Sequence, residues 1–191
     1  MRMLKSTRLA DACPRSLATP AELPAIPFAI VAATAADLSL VARLARDIWH
    51  RHYPGIISQA QIDYMLAQGY SHDALLKYLD TRDAGLALAT HDGAGVGFVG
   101  WYAVDPRKTM KLDKLYVLPE HHHAGIGRAL IEHVVARARA AGCDEVTLNV
   151  NRNNVNAVRS YERCGFAIRE RGDFPIGNGF VMEDYIMVRD V

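Results

Sequence analysis

The sequence predicts an α/β domain, of the α+β kind, in which six or seven strands form one sheet flanked by helices. Strand-like runs bounded by turn residues recur at 28–33, 85–90, 96–104, 111–118, 145–150, 166–170 and 180–188. Between several of them lie stretches whose apolar residues repeat at helical spacing. A chain of 191 residues, 50% hydrophobic, is also long enough for one well-buried core, and its length argues for one domain rather than two.

Phe28 to Ala33 reads as the first strand, and Thr34 with Asp37 three residues on is a variant capping box that opens a helix. Leu38, Val41, Leu44, Ala45 and Ile48 give that helix its apolar stripe, to about His50. After Tyr53-Pro54-Gly55, Ser58 and Gln61 form a second capping box, with Ile62, Met65 and Leu66 facing inward. Ser71 and Asp73 start a further helical piece through Leu79. All of these helices fall between the first and second strands, so they should overhang one side of the sheet.

The second and third strands, Gly85 to Thr90 and Val96 to Val104, are joined by the glycine-rich hairpin turn His91-Asp92-Gly93-Ala94-Gly95. Lys111 to Leu118 is the next strand. The helix after it should bury Ile126, Leu130, Val134 and Ala138, pair Arg128 with Glu132 on its exposed side, and end at Gly142. Glu145 to Val150 alternates, with Val146, Leu148 and Val150 on one face. A short helix with asparagine at its start and Gly165 past its end follows, then the last pair of strands.

Lys and Arg number 22 against 21 Asp and Glu, a formal charge of +1, which offers neither the basic field that nucleic acid requires nor a polybasic membrane signal. A small molecule or a peptide is the expected partner. Cys13, Cys143 and Cys164 are an odd count without metal spacing, which suits a reducing compartment and makes the cytoplasm the expected location. Residues 1–27 mix charges with Pro14, Pro20, Pro24 and Pro27 and lack an apolar core, so they read as a poorly ordered extension rather than a secretory signal. No later segment offers the ~18 apolar residues of a membrane helix.

The segment from Leu115 to Leu130 carries the most chemistry. A β-branched and aromatic run passes through a glycine-bearing turn straight into an amphipathic helix. Gly125 and Gly127 remove Cβ atoms that would keep a ligand from the backbone, and the first-turn amides of a helix lack intrahelical acceptors. An anion gains about 0.3–1 kcal/mol there, and up to about 2 when partly buried. That suits a pyrophosphate. The triplet His121-His122-His123 invites a metal reading, but consecutive histidines in a turn cannot converge on one ion and no carboxylate pair accompanies them. No metal is expected.

Further on come Asn153-Asn154-Val155-Asn156-Ala157 and Tyr161-Glu162-Arg163-Cys164-Gly165-Phe166. Together with the Leu115–Leu130 segment, this pattern resembles the two signature stretches of the GNAT superfamily of acetyl-CoA-dependent N-acetyltransferases. The resemblance covers residues 28–191 and is strongest over 111–169; its one departure is His122, where the family usually has Gln or Arg. It implies a single N-acetyltransferase domain with a mixed, mostly antiparallel sheet, and acetyl-CoA as acyl donor. The backbone of His122, His123, Ala124, Gly125, Ile126, Gly127 and Arg128 would then cradle the pyrophosphate. Leu115, Tyr116 and Val117 would lie against the pantetheine arm, with the amide near Val117 as oxyanion contact.

The resemblance further places Tyr161 near the thioester sulfur as a hydrogen-bond donor or acid toward the leaving thiolate. With a phenol near pKa 10 and a thiol near 8.5, full proton transfer is uphill by about 2 kcal/mol, so hydrogen-bond donation with later protonation is the expected role. Asn156, Asn149 and Arg163 are cofactor candidates that can equally be caps or surface groups. The base is unmarked. Asp113, on the central strand, is the first candidate, though it can also point away or bind a substrate ammonium. Trp49, His52, Tyr53 and Tyr64 fall where the superfamily builds its acceptor pocket, where Trp49 and Tyr53 could enclose an alkylammonium or simply pack the helices on the sheet. Further stretches from Trp49 to Leu66 and from Pro175 to Met187 look similar to a bacterial subgroup that includes polyamine acetyltransferases. The expected activity is acetyl transfer to a small primary amine. The alternatives are a peptide amino group or a non-catalytic acyl-CoA-binding module, and a homodimer is compatible with any of these.

Overall fold

The computed structural model describes residues 27–105 and 108–191. The extension expected at 1–27 lies outside the described residues except for Pro27, whose carbonyl is 2.7 Å from Nδ1 of His91. In chain order the elements are β1 (Ala29–Ala32), α1 (Leu38–His52), α2 (Gln59–Gly69), α3 (His72–Asp80), β2 (Ala84–His91), β3 (Ala94–Asp105), β4 (Thr109–Val117), α4 (Ile126–Ala141), β5 (Glu145–Asn151), α5 (Val155–Arg163), β6 (Ala167–Gly177) and β7 (Phe180–Asp190).

Local chemistry sets these boundaries. The Asp37 carboxylate accepts from the amide and the hydroxyl of Thr34, both at 2.8 Å, and a 3-10 turn over Ala35–Asp37 leads into α1. Ser58 caps α2 through Gln61 and Ser71 caps α3 through Ala74. The β2–β3 turn narrows to Asp92 and Gly93, both at positive φ (49° and 76°), as a two-residue hairpin of the I′ kind requires.

The seven strands form one sheet in the order β1-β2-β3-β4-β5-β7-β6, antiparallel except where β4 meets β5. One face packs on α4 and α5 through a cluster that includes Leu130, Val134, Ala138, Val146, Leu148 and Phe166. The other packs on α1, α2 and α3 through Leu38, Val41, Ile48, Trp49, Ile62, Leu75 and Phe98. Among the described residues no helix is long and apolar enough to cross a membrane.

Two expectations are corrected. Glu132 does not pair with Arg128. It accepts from Arg189 of β7 at 2.7 and 3.1 Å, and the same guanidinium reaches the carbonyl of Cys164 at 2.9 Å. A forked pair that ties two elements together outcompetes an exposed pair in the weaker basic-before-acidic helix order. Secondly, β6 runs to Gly177, well past the expected 170. Gly172 and Pro175 read as breakers, but β6 is an edge strand, where a proline's missing donor costs no ladder bond.

Candidate active site

β4 and β5 pair only through Thr109–Lys111 opposite Glu145–Thr147. β4 continues to Val117 and β5 to Asn151, each still paired with its other neighbour, so the two strands diverge beyond Lys111. The cause lies on β4. Gly100 is opposite Lys114 while Trp101 is opposite Leu112, which makes Asp113 the extra residue of a β-bulge. A bulge bends and twists its strand. It also reverses the side-chain alternation: Met110 and Leu112 pack toward α4, as do Leu115 and Val117 beyond the bulge, while Tyr116 turns to the α1–α3 face. The divergence leaves one edge of β4 open, a row of backbone groups with which an extended ligand can pair.

That edge runs into the glycine turn. The ring Nε2 of His122 donates to the carbonyl of Val117 at 2.9 Å, so the residue that departs from the expected Gln or Arg ties the turn to the strand end. Glu120 is bonded to Arg51 of α1, which fixes the turn from the other side. His123 (φ 64°) and Gly125 (φ 81°) are left-handed, and α4 starts at Ile126 with no side-chain cap on its first amides. Gly127 is helical, and a Cβ built there meets nothing within 4 Å. Neither its conformation nor its neighbours demand glycine, whereas Gly125 is needed for its φ. The residues therefore fit a pyrophosphate on the α4 N-terminus, where Gly127 keeps the space in front of the amides free.

On the α1–α3 face, Trp49 and Tyr53 are buried in an aromatic cluster. The Trp49 ring lies 4.4 Å from Tyr53, 5.9 Å from Tyr70 and 5.8 Å from Tyr116. Burial pushes the phenols of Tyr53, Tyr70 and Tyr116 well above the ordinary value, so all three stay protonated. Next to this cluster, Asp113 accepts from the Tyr78 hydroxyl and, at 2.9 Å, from Nζ of Lys114. Burial works to raise its carboxyl, but Lys114, the Tyr78 bond and Lys111 together hold it below the ordinary carboxylate value. Such a carboxylate is a weak proton acceptor, which weighs against the base role expected of Asp113.

The α5 side supplies the remaining candidates. Asn154 caps α5 through the Ala157 amide, and its Nδ2 donates at 2.9 Å to Nε2 of His52, joining the end of α1 to the start of α5. Burial lowers the His52 pKa, so that the imidazole tends to stay neutral. Tyr161 packs against the α4-side core with its ring 5.9 Å from Phe166, and burial raises its phenol far above the ordinary value. Asn156 is exposed on the first turn of α5, and Arg163 donates to Ser160 Oγ at 3.0 Å. Asn149 is held on both sides: Lys111 donates to its Oδ1, and its Nδ2 donates to Asp184 at 3.3 Å. Among the described residues no group of three His, Cys, Asp or Glu is placed to hold a metal.

Sequence reasoning missed Lys111, Tyr70 and Asp184. Asp184 lies in the stretch from Pro175 to Met187, but only the β5–β7 register, which sets it opposite Asn151, brings it to the cleft. A carboxylate beside an apolar run was its one visible signal.

A parallel pair that splays at a bulge, with a glycine turn and helix start at its mouth, suits an extended ligand that ends in a pyrophosphate. The family model described as "Acetyltransferase (GNAT) family" matches residues 44–166. An uncharacterized N-acetyltransferase of Mycobacterium tuberculosis is 33% identical over 72% of this chain and 87% of its own. A spermidine N(1)-acetyltransferase of Thermoplasma acidophilum is 27% identical over 77% of this chain and 90% of its own. In fold, the chain is similar to the PaiA N-acetyltransferase of Thermoplasma acidophilum, solved in complex with coenzyme A (TM-score 0.73, 24% identity, 86% and 99% of the two chains covered). The chain belongs to the GNAT family and is an acetyl-CoA-dependent N-acetyltransferase.

Proposed function

We propose that this enzyme acetylates a primary amine of a small molecule, with an alkylamine of the polyamine kind as the representative acceptor. The observation that carries the reading is the open β4 edge leading into a glycine turn where, among the described residues, no contact requires Gly127. The pyrophosphate would sit on the amides from His123 to Arg128, with the pantetheine along Leu115, Tyr116 and Val117. Arg163 and Asn156 would contact its outer parts. The Val117 amide would face the developing oxyanion, and the Tyr161 hydroxyl the departing sulfur.

The acceptor would enter on the α1–α3 face. There α2 rests on the final hairpin: Gln61 Nε2 donates to the Val181 carbonyl and the Tyr64 hydroxyl to the Ile176 carbonyl. This roof favours a slender acceptor over a folded protein surface, and Trp49 with Tyr53 would form the inner wall of its channel. The identity of the spermidine acetyltransferase relative supports the same class. The free thiols of Cys143 and Cys164 are in keeping with a cytoplasmic enzyme.

Thiol release from acetyl-CoA across polyamines, aminoglycosides, amino acids and short peptides tests the reading. Turnover is expected with small alkylamines, rising with pH as more amine is neutral. Transfer to peptides with none to any small amine would replace this reading by the peptide one. No turnover with any acceptor, despite tight acetyl-CoA binding, would point to a binding module.

A further inference from the structure

Asp184 is 5% exposed, and its Oδ1 is buried without a hydrogen-bond partner among the described residues. Its Oδ2 takes one bond, from Asn149 at 3.3 Å. A buried carboxylate oxygen left unpaired is costly and calls for an explanation. The position supplies one. Asp184 stands opposite Asn151 at the diverged end of β5, on the same face as Asn149 and Lys111, and the chain Lys111–Asn149–Asp184 crosses the cleft where β4 and β5 separate.

We propose that Asp184 accepts the proton of the attacking amine. The assignment rests on the small-amine reading above and replaces Asp113 in the base role. As the neutral amine nitrogen bonds to the thioester carbonyl carbon, its N–H proton passes to the Asp184 carboxylate. When the carbonyl re-forms, the C–S bond breaks with its electron pair on sulfur, which takes a proton by way of Tyr161 or water. Asp184 then releases its own proton to solvent. Near the cleft, Asp113 already holds Lys114 and Tyr78, and His52 is committed through Nε2 to Asn154.

The groups facing Asp184 come from several elements. They are Lys111 of β4, the Tyr53 phenol at the end of α1, and Arg152 after β5, which is itself bound by Asp173 of β6 at 2.7 Å and Glu183 of β7 at 3.4 Å. Burial raises the Asp184 carboxyl against the opposing pull of Asn149, Lys111 and Arg152, which makes it a better base than Asp113. A carboxyl whose folded pKa exceeds its unfolded value contributes stability below the unfolded value and loses it as pH rises through the folded one. Neutralising Asp184 therefore does not weaken the fold at neutral pH.

Asp184→Asn, assayed with spermidine, should keep its melting temperature and acetyl-CoA Kd while kcat falls roughly 10²–10⁴-fold, and the acid limb of the kcat–pH profile should keep only the rise that follows the amine's own pKa. Unchanged kcat and an unchanged acid limb in this variant, or an acid limb lost in Asp113→Asn instead, would overturn the assignment alone. Absence of turnover by the wild-type enzyme with every small amine overturns the small-amine reading and this assignment with it. If Asp184→Asn does not fold, the wild-type profile still decides: an acid limb that stays fixed when the acceptor is exchanged for amines of different pKa supports Asp184, and a limb that moves with the amine pKa excludes it.

Discussion

Gly127→Val should weaken acetyl-CoA binding at least tenfold, about 1.4 kcal/mol, while the melting temperature stays within a few degrees. Gly127 is helical and a Cβ there meets no atom of the described residues within 4 Å, so the fold accommodates a side chain. Valine is no poorer a helix former than glycine. Its methyl groups would occupy the space in front of the α4 amides, where a pyrophosphate oxygen must approach closely. Gly125 is a poorer probe because its φ of 81° strains any other residue whatever the ligand does. Calorimetric titration of the variant with acetyl-CoA, beside a thermal melt, separates the two effects. An unchanged Kd in a folded Gly127→Val protein would place the pyrophosphate elsewhere.

Tyr161→Phe should lower kcat by about 10- to 150-fold, the equivalent of one hydrogen bond to a charged group worth about 1.5–3 kcal/mol, with the acetyl-CoA Kd nearly unchanged. The hydroxyl is proposed to act on a thiolate that exists only as the C–S bond breaks, so its loss belongs to the transition state rather than to binding. Burial raises this phenol above the ordinary value and makes complete proton transfer to sulfur still more uphill, which favours hydrogen-bond donation as its contribution. Steady-state kinetics with a saturating amine, together with a direct binding measurement, decide the matter. A weakened Kd with unaltered kcat would make Tyr161 a cofactor contact, and unaltered values of both would leave it structural.

Much of this architecture was legible in the sequence because it rests on local signals. Caps at Thr34, Ser58, Ser71 and Asn154, the Asp92-Gly93 turn and the glycines at 142 and 165 mark element ends by their own backbone chemistry. What stayed hidden depends on pairing between distant segments. The bulge at Asp113 follows from the β3–β4 register, and without it Lys111 to Leu118 reads as one uninterrupted alternation. The partner of Glu132 lies 57 residues away on β7. Asp184 becomes a cleft residue only through its register with Asn151, and no spacing rule within β7 reveals that. The glycine turn is the opposite case, since strand, turn and helix are contiguous and their chemistry is read in one segment.

Acetyl-CoA is expected to lie along the open edge of β4 with its pyrophosphate on the start of α4. Backbone amide hydrogen exchange, followed residue by residue with and without coenzyme A, tests it most directly. The expected result is ligand-dependent slowing at amides within Leu115–Val117 and His123–Arg128, with little change in β1, β2 or the β2–β3 turn. Slowing confined to other segments, with β4 and the first turn of α4 unaffected at saturating coenzyme A, would contradict the account.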